Sequence, residues 1–189
     1  MPTEISGSTG VNKIQDGTVV AGDLASSVNL GKIIATYTDQ DNSAVQTTSK
    51  ESWTSTAAAI TLTPASTSSK FHIVANACQD LNHGSDYSSA PDVTWSVTRA
   101  ISGGATTNNV TSSPNWRIDA RGGSTLHNTD SSSMTMVGID SPNTTSAITY
   151  TVKFYNQSWG GFDGSVGTRY DTGNGGYGGA NITIMEIAG

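Results

Sequence analysis

After Lys32 the apolar residues fall on alternate positions, and this spacing constrains the fold more than any other feature of the sequence. A period of two puts successive side chains on opposite faces of an extended chain, whereas a helix needs apolar residues three and four apart. Phe71, Ile73, Ala75 and Ala77 define one such strand, and Val93, Trp95 and Val97 a second. A third carries Ile148, Tyr150, Val152 and Phe154 opposite Thr149, Thr151 and Lys153. Less regular alternation predicts further strands over residues 32–38, 44–50, 58–63, 115–121, 134–140 and 180–188, with no long helix.

Between these runs lie turn-forming segments at residues 39–43, 64–69, 102–104, 122–123 and 141–143. Gly, Asn and Asp tolerate positive φ there, and Pro presets its own φ. Short strands punctuated in this way predict an all-β fold: an antiparallel β-sandwich, with a jelly roll as the variant that best fits the strand count. Two strands break the alternation, because Met134, Met136, Val137 and Ile139, and likewise Ile182, Ile184, Met185 and Ile187, are apolar on both faces. Their outward residues call for a cover, either a loop or a neighbouring subunit.

The rest of the chain divides around this body. Residues 1–31 are small and polar, with Val11, Ile14, Val19, Val20, Leu24 and Val28 too sparse to close a core. They predict an extended N-terminal arm that gains structure by docking on a partner through those apolar residues. The body then spans residues 32–189 and contains a glycine-rich stretch with interleaved aromatics at 159–179, expected to be a long exposed loop. On that loop Trp159, Phe162, Tyr170 and Tyr177 could stack on sugar faces, with Arg169, Asp163, Asp171 and Asn174 as hydrogen-bonding groups; the competing role is to anchor the loop on its own sandwich or on a neighbour.

Charge and residue chemistry exclude more than they suggest. A net charge of -6 repels phosphate backbones, so nucleic acid is not an expected partner. The opening Met1-Pro-Thr-Glu-Ile-Ser-Gly-Ser has neither a basic nor an apolar signal region, and no run of 18 apolar residues follows, so the expectation is a chain made in the cytoplasm that crosses no membrane. Cys78, the single cysteine, cannot form an internal disulfide and is expected as a small buried thiol. Of the three histidines, His72, His83 and His127, none stands in a zinc-protease or deaminase spacing, and His72 is expected to face solvent. The segment Asp80-Leu-Asn-His-Gly-Ser-Asp86 gathers possible ligands but does not follow the calcium-loop order, and Asp39, Asp41 and Asn42 fit a turn more simply than a cation site. The expectation is a protein without catalytic residues, metal or cofactor. Sequons at Asn109, Asn143, Asn156 and Asn181 are what chance gives in so Ser/Thr/Asn-rich a chain.

Four stretches together carry a resemblance. The arm segment 10–25 (GVNKIQDGTVVAGDLA) resembles the N-terminal part of structural proteins of aquatic bacteriophages, cyanophages among them. Segment 53–70 (WTSTAAAITLTPASTSSK) is similar to the opening of their small β-domain, 140–152 (DSPNTTSAITYTV) to its late hairpin, and 180–189 (ANITIMEIAG) to its closing strand. The resemblance implies a virion surface component: a capsid decoration (cement) protein or head fibre, or else a short tail-fibre domain, usually a homotrimer. It further implies that the arm contacts the major capsid protein or another virion protein, and that a tail-fibre version would contact host surface glycans. The stretch 159–179 is longer than the family pattern leads one to expect.

Overall fold

The computed structural model describes residues 32–43, 45–82, 92–107, 109–117, 129–157, 165–168 and 179–189. They form eleven strands and no helix: β1 (Ile33–Asp41), β2 (Gln46–Thr47), β3 (Ser52–Leu62), β4 (Lys70–Asn82), β5 (Asp92–Ile101), β6 (Thr106–Thr107), β7 (Asn115–Arg117), β8 (Thr129–Asp140), β9 (Ile148–Asn156), β10 (Ser165–Thr168) and β11 (Ala180–Ile187). All pair antiparallel in two sheets. The larger has the order β1-β11-β4-β8, with β10 and then β2 extending it beside the end of β4; the smaller has β3-β9-β5, with β6 and β7 on the far edge of β5. The fold is therefore an antiparallel β-sandwich.

Alternation explains both the register and the core. Along β9 the inward Ile148, Tyr150, Val152 and Phe154 are fully buried, and the threonines and Lys153 between them are half-buried. Their neighbours Ile60 and Leu62 on β3 and Trp95 and Val97 on β5 lie in register with them. From the larger sheet Phe71, Ile73, Ala75, Met136, Ile182 and Ile184 complete one contiguous core. A slip of one residue would turn any of these rows outward, so each strand holds its register through its own pattern. Burying a side chain such as Ile184 or Val152 stabilises the fold by about 1.5–3 kcal/mol.

Three differences from the sequence expectation have identifiable causes. Residues 39–41, expected in a turn, continue β1, because their pairing with Ile182, Asn181 and Ala180 on β11 supplies ladder hydrogen bonds that a turn would forgo. Strand β3 begins at Ser52, six residues before the expected start at 58, since its small Ala and Thr residues hide the alternation. Inside the segment 159–179, expected as loop throughout, Ser165–Thr168 form a strand that pairs with both β4 and β2. The arm 1–31 lies outside the described residues.

Both open sides of the sandwich are closed by hydrogen bonds, through side chains on one side and backbone on the other. In β3 a bulge sets Thr56, Ala57 and Ala58 between the pairs Ser55–Lys153 and Ala59–Thr151, which breaks the ladder to β9. Thr56 restores one bond by donating its hydroxyl to the Val152 carbonyl at 2.9 Å. The displaced amides of Ala57 and Ala59 donate to the carboxylates of Asp41 and Asp39 on β1, each at 2.9 Å. These acids, considered above as part of a turn, join the two sheets. On the opposite side the segment before β7 does the same work: Val110 donates its amide to the Val97 carbonyl at 3.0 Å and Ser112 to that of Val137 at 2.8 Å. Gly138 allows this approach, because a Cβ there would stand 2.5 Å from the Val110 carbonyl oxygen.

Burial pushes the Asp41 carboxyl up, but hydrogen bonds from the hydroxyl and amide of Ser43 and the amide of Ala57 outweigh it and hold its pKa below the ordinary value. A depressed folded-state pKa contributes stability that is present above the unfolded value, about 3.9, and is lost as pH falls through the folded one. Asp41→Ala should lower the unfolding free energy by about 1–3 kcal/mol in urea melts at neutral pH, since it strands the Ala57 amide. The gap between wild type and Asp41→Asn should narrow as the melts are repeated below pH 4, and a gap that stays constant would remove the carboxylate from this role.

Candidate functional site

Buried titratable residues are where catalysis is usually built, and among the described residues the sandwich interior holds three groups of polar side chains. One cluster joins the sheets at one end: Arg99 of β5 pairs with Asp140 of β8, and the Tyr150 hydroxyl of β9 donates to the other carboxylate oxygen at 2.8 Å. Arg99 also donates to the Thr107 hydroxyl at 3.1 Å. Burial, followed by the nearby Asp140 charge and its hydrogen bond, raises the Tyr150 pKa far above its ordinary value, so this phenol stays a donor. A second tie runs through the middle, where the Trp95 indole N–H donates to Gln79 Oε1 at 2.9 Å and the Gln79 amide donates to Ser132 at 2.7 Å. In a third, Glu186 accepts the Ala65 amide at 2.7 Å and a bond from Tyr37, whose pKa is raised by burial and then by the Glu186 charge. Most of these groups are held by protein partners, Arg99 Nε being buried without one, and the bonds of Asp140 to Arg99 and Tyr150 and of Gln79 to Trp95 run between the sheets and fix how they face each other. Among the described residues no group of three or more His, Cys, Asp or Glu could hold a metal ion.

The chemistry left open lies on the outward faces. Register across the larger sheet sets out its rows: Thr36, Met185, His72 and Ile139 in one, Thr38, Thr183, Val74 and Val137 in the next, and Gln40, Asn181, Asn76 and Thr135 in a third. Ile187 and Ile33 pair beside the first row. One half of this face therefore carries Ile33, Ile187, Met185, Ile139, Val74 and Val137 interspersed with Thr36, Thr38, Thr183 and His72, and the other is a ladder of amides, in which Thr135 donates to Asn76 at 2.8 Å and Asn76 to Asn181 at 3.3 Å. Among the described residues the exposed large apolar side chains are Ile139 at 67%, Ile33 at 53%, Val137 at 45% and Ile34 at 44%, all on β1 and β8, the outer members of this four-strand array.

His72 occupies the outward position expected for it, half-buried in the apolar half. Cys78 does not follow expectation: it too is on an outward position, half-buried and paired with Ser133, while the buried place beside it belongs to Gln79. Alternation explains the difference, since Ala75, Ala77 and Gln79 continue the inward row and leave Cys78 on the other face. The thiol lines a shallow depression of about 180 Å³ with Gln40, Asn76, Ser133 and Asn181.

Other candidate residues lie outside the described residues: Val11, Ile14, Val19, Val20, Leu24 and Val28 of the arm, Trp159, Phe162, Arg169, Tyr170 and Tyr177 of the aromatic stretch, and His83 and His127. The sequence had marked Val137, Ile139, Met185 and Ile187 as needing a cover, and the structure brings them onto one face with Ile33 and Val74, which had not been singled out. Register is the missing signal, because which strands neighbour one another cannot be read from each strand separately. No protein-family model matches this chain, and no curated protein is significantly similar to it.

Tyr150→Phe should cost about 1–3 kcal/mol, the penalty for leaving one oxygen of Asp140 without its donor. Asp140→Ala should cost more, about 3–5 kcal/mol, because it strands the Arg99 charge inside the sandwich. Equal losses in urea melts of the two variants would show that Arg99 finds water when Asp140 is gone.

Proposed function

We propose that this chain is a non-enzymatic structural protein of the bacteriophage virion surface, a capsid decoration (cement) protein or head fibre that stabilises the shell as a homotrimer. The observation that carries the reading is the apolar half of the outward face of the larger sheet, with Val137 and Ile139 at its rim. A domain that leaves such a stripe uncovered gains by covering it with a sister copy, and in a cyclic trimer each copy's stripe meets a different surface of its neighbour around the axis. The sequence resemblance to phage structural proteins supplies the setting, and the task proposed needs contact area instead of turnover.

Strand order adds support. The arrays β1-β11-β4-β8 and β3-β9-β5-β6, in which the chain changes sheet at almost every connection between principal strands, support the proposal of a jelly-roll winding. In this reading the arm, residues 1–31, is the anchor to the major capsid protein or another virion protein, and the site of action is the particle surface after synthesis in the host cytoplasm. A second reading, a tail-fibre domain that recognises host surface glycans, is favoured by an aromatic row on the smaller sheet described below.

Light scattering of the full chain should give about three times the 19.5 kDa chain mass, and Val137→Lys with Ile139→Lys should yield a folded monomer. Removing residues 1–30 should leave the trimer intact and abolish binding to undecorated phage heads. A wild-type chain that stays monomeric at tens of micromolar, or a trimer indifferent to both lysines, would end the proposal.

A further inference from the structure

The outward positions of the smaller sheet carry short side chains, Ser55, Ala59 and Thr61 on β3, Thr149 and Thr151 on β9, and Ser96, Thr98 and Ala100 on β5, of which Ser96 and Thr98 are buried. One row departs from this. Trp53 on β3 pairs with Tyr155 on β9, Tyr155 with Thr94 on β5, and Thr94 with Asn115 on β7, so two aromatic rings and two hydrogen-bonding groups stand side by side across four strands. The rings are 5.3 Å apart and tilted by 54°, and both are half-buried. The core has its own aromatic pair in Trp95 and Phe154 on the other face, so packing the sandwich does not require a second one outside.

Beside the rings the polar groups are already ordered. Asn115 donates its amide to the Thr94 hydroxyl at 2.8 Å and to Gln157 Oε1 at 3.3 Å, and the Thr94 hydroxyl donates to the same oxygen at 3.3 Å. Among the described residues this leaves the Gln157 N–H groups and the Asn115 carbonyl oxygen uncommitted, on two exposed side chains whose rotamers the network restricts. Lys153 lies two residues before Tyr155 on the same face, and among the described residues no carboxylate pairs with it. An aromatic surface flanked by fixed amide donors and acceptors matches a pyranose, whose C–H face is apolar and whose hydroxyls lie around the rim. Ordering those amides in advance removes part of the entropic cost of binding. A lone ammonium in a chain of net charge -6 matches a carboxylate on that sugar.

We infer that the row Trp53, Tyr155, Thr94, Asn115 and Gln157, with Lys153 beside it, is a binding site for an acidic saccharide such as a uronic acid residue of a surface polysaccharide. The inference deepens the glycan-recognition reading and is independent of whether the trimer sits on the head or the tail.

The test is affinity electrophoresis of the full chain in native gels containing polygalacturonate, alginate or dextran. The expected result is retardation by at least one polyuronate and little by dextran. Trp53→Ala should raise the apparent Kd at least tenfold, Asn115→Ala should raise it several-fold, and Lys153→Gln should abolish the preference for the acidic polymers. Circular dichroism and light scattering on each variant report fold and trimer apart from binding, and Asn115→Ala and Lys153→Gln alter no core residue if Trp53→Ala fails to fold. Free migration in both polyuronates, stronger retention by dextran, or retention that survives both Trp53→Ala and Asn115→Ala would overturn the inference. None of those outcomes would bear on the trimer or on the binding of the arm to particles.

Discussion

A strand can give only one of its faces to a core, and the whole of this structure follows from how that limit is met. The inward rows of both sheets are apolar and in register, so a single layer of side chains between sheets about 10 Å apart accounts for the buried interior. What remains is two outward faces with different chemistry. One bears a ladder of amides beside a stripe of isoleucine, valine and methionine; the other is a pavement of threonine, serine and alanine interrupted by Trp53 and Tyr155. Among the described residues most interior polar groups are committed to one another, which directs attention to the two outward faces.

Apolar layers alone specify the orientation of two sheets only loosely, because greasy rows slide past one another at little cost. Directional bonds remove that freedom. Asp140 holds Arg99 and Tyr150, Gln79 holds Trp95, and the carboxylates of Asp39 and Asp41 hold the bulge of β3, so each bond couples one sheet to the other at a fixed point. Burying such groups contributes little net stability by itself, and its value lies in making every other alignment leave a donor or a charge without a partner. The same bonds close the sides of the sandwich, where exposed ladders invite pairing with another chain.

Much of the fold was legible in the sequence because alternation is a local signal. Phe71 to Ala77, Val93 to Val97 and Ile148 to Phe154 announce their inward faces, and the strands are found where the pattern is strong. Where side chains are small the signal fades: the Ser52–Ala59 half of β3 reads as a featureless run, and its bulge depends on acids sixteen to twenty residues earlier, a relation no local pattern encodes. β10 is missed for a related reason, since Ser165-Val-Gly-Thr168 has one apolar residue and gains its place from the edge that β4 offers. Cys78 was assigned to the interior from its residue type, although counting twos from Ala75 gives the correct face. The aromatic row required register, because Trp53 and Tyr155 are 102 positions apart and become neighbours only through the pairing of β3 with β9.

The two outward faces point in opposite directions, and this couples the two proposals through geometry. An assembly that buries the apolar half of the larger sheet between copies necessarily turns the smaller sheet to the periphery, where the row from Trp53 to Asn115 is presented to whatever surrounds the particle. A single shallow saccharide site of this kind is weak, because stacking and a few rim hydrogen bonds must overcome the lost freedom of the ligand. Three such sites on a rigid trimer, facing a polymer of repeated sugars, convert later contacts into intramolecular ones and raise the effective affinity by orders of magnitude without any new contact. In such a trimer the apolar stripe would serve recognition as well as assembly, because the spacing of the sister copies would set the spacing at which their aromatic rows meet a repeating chain.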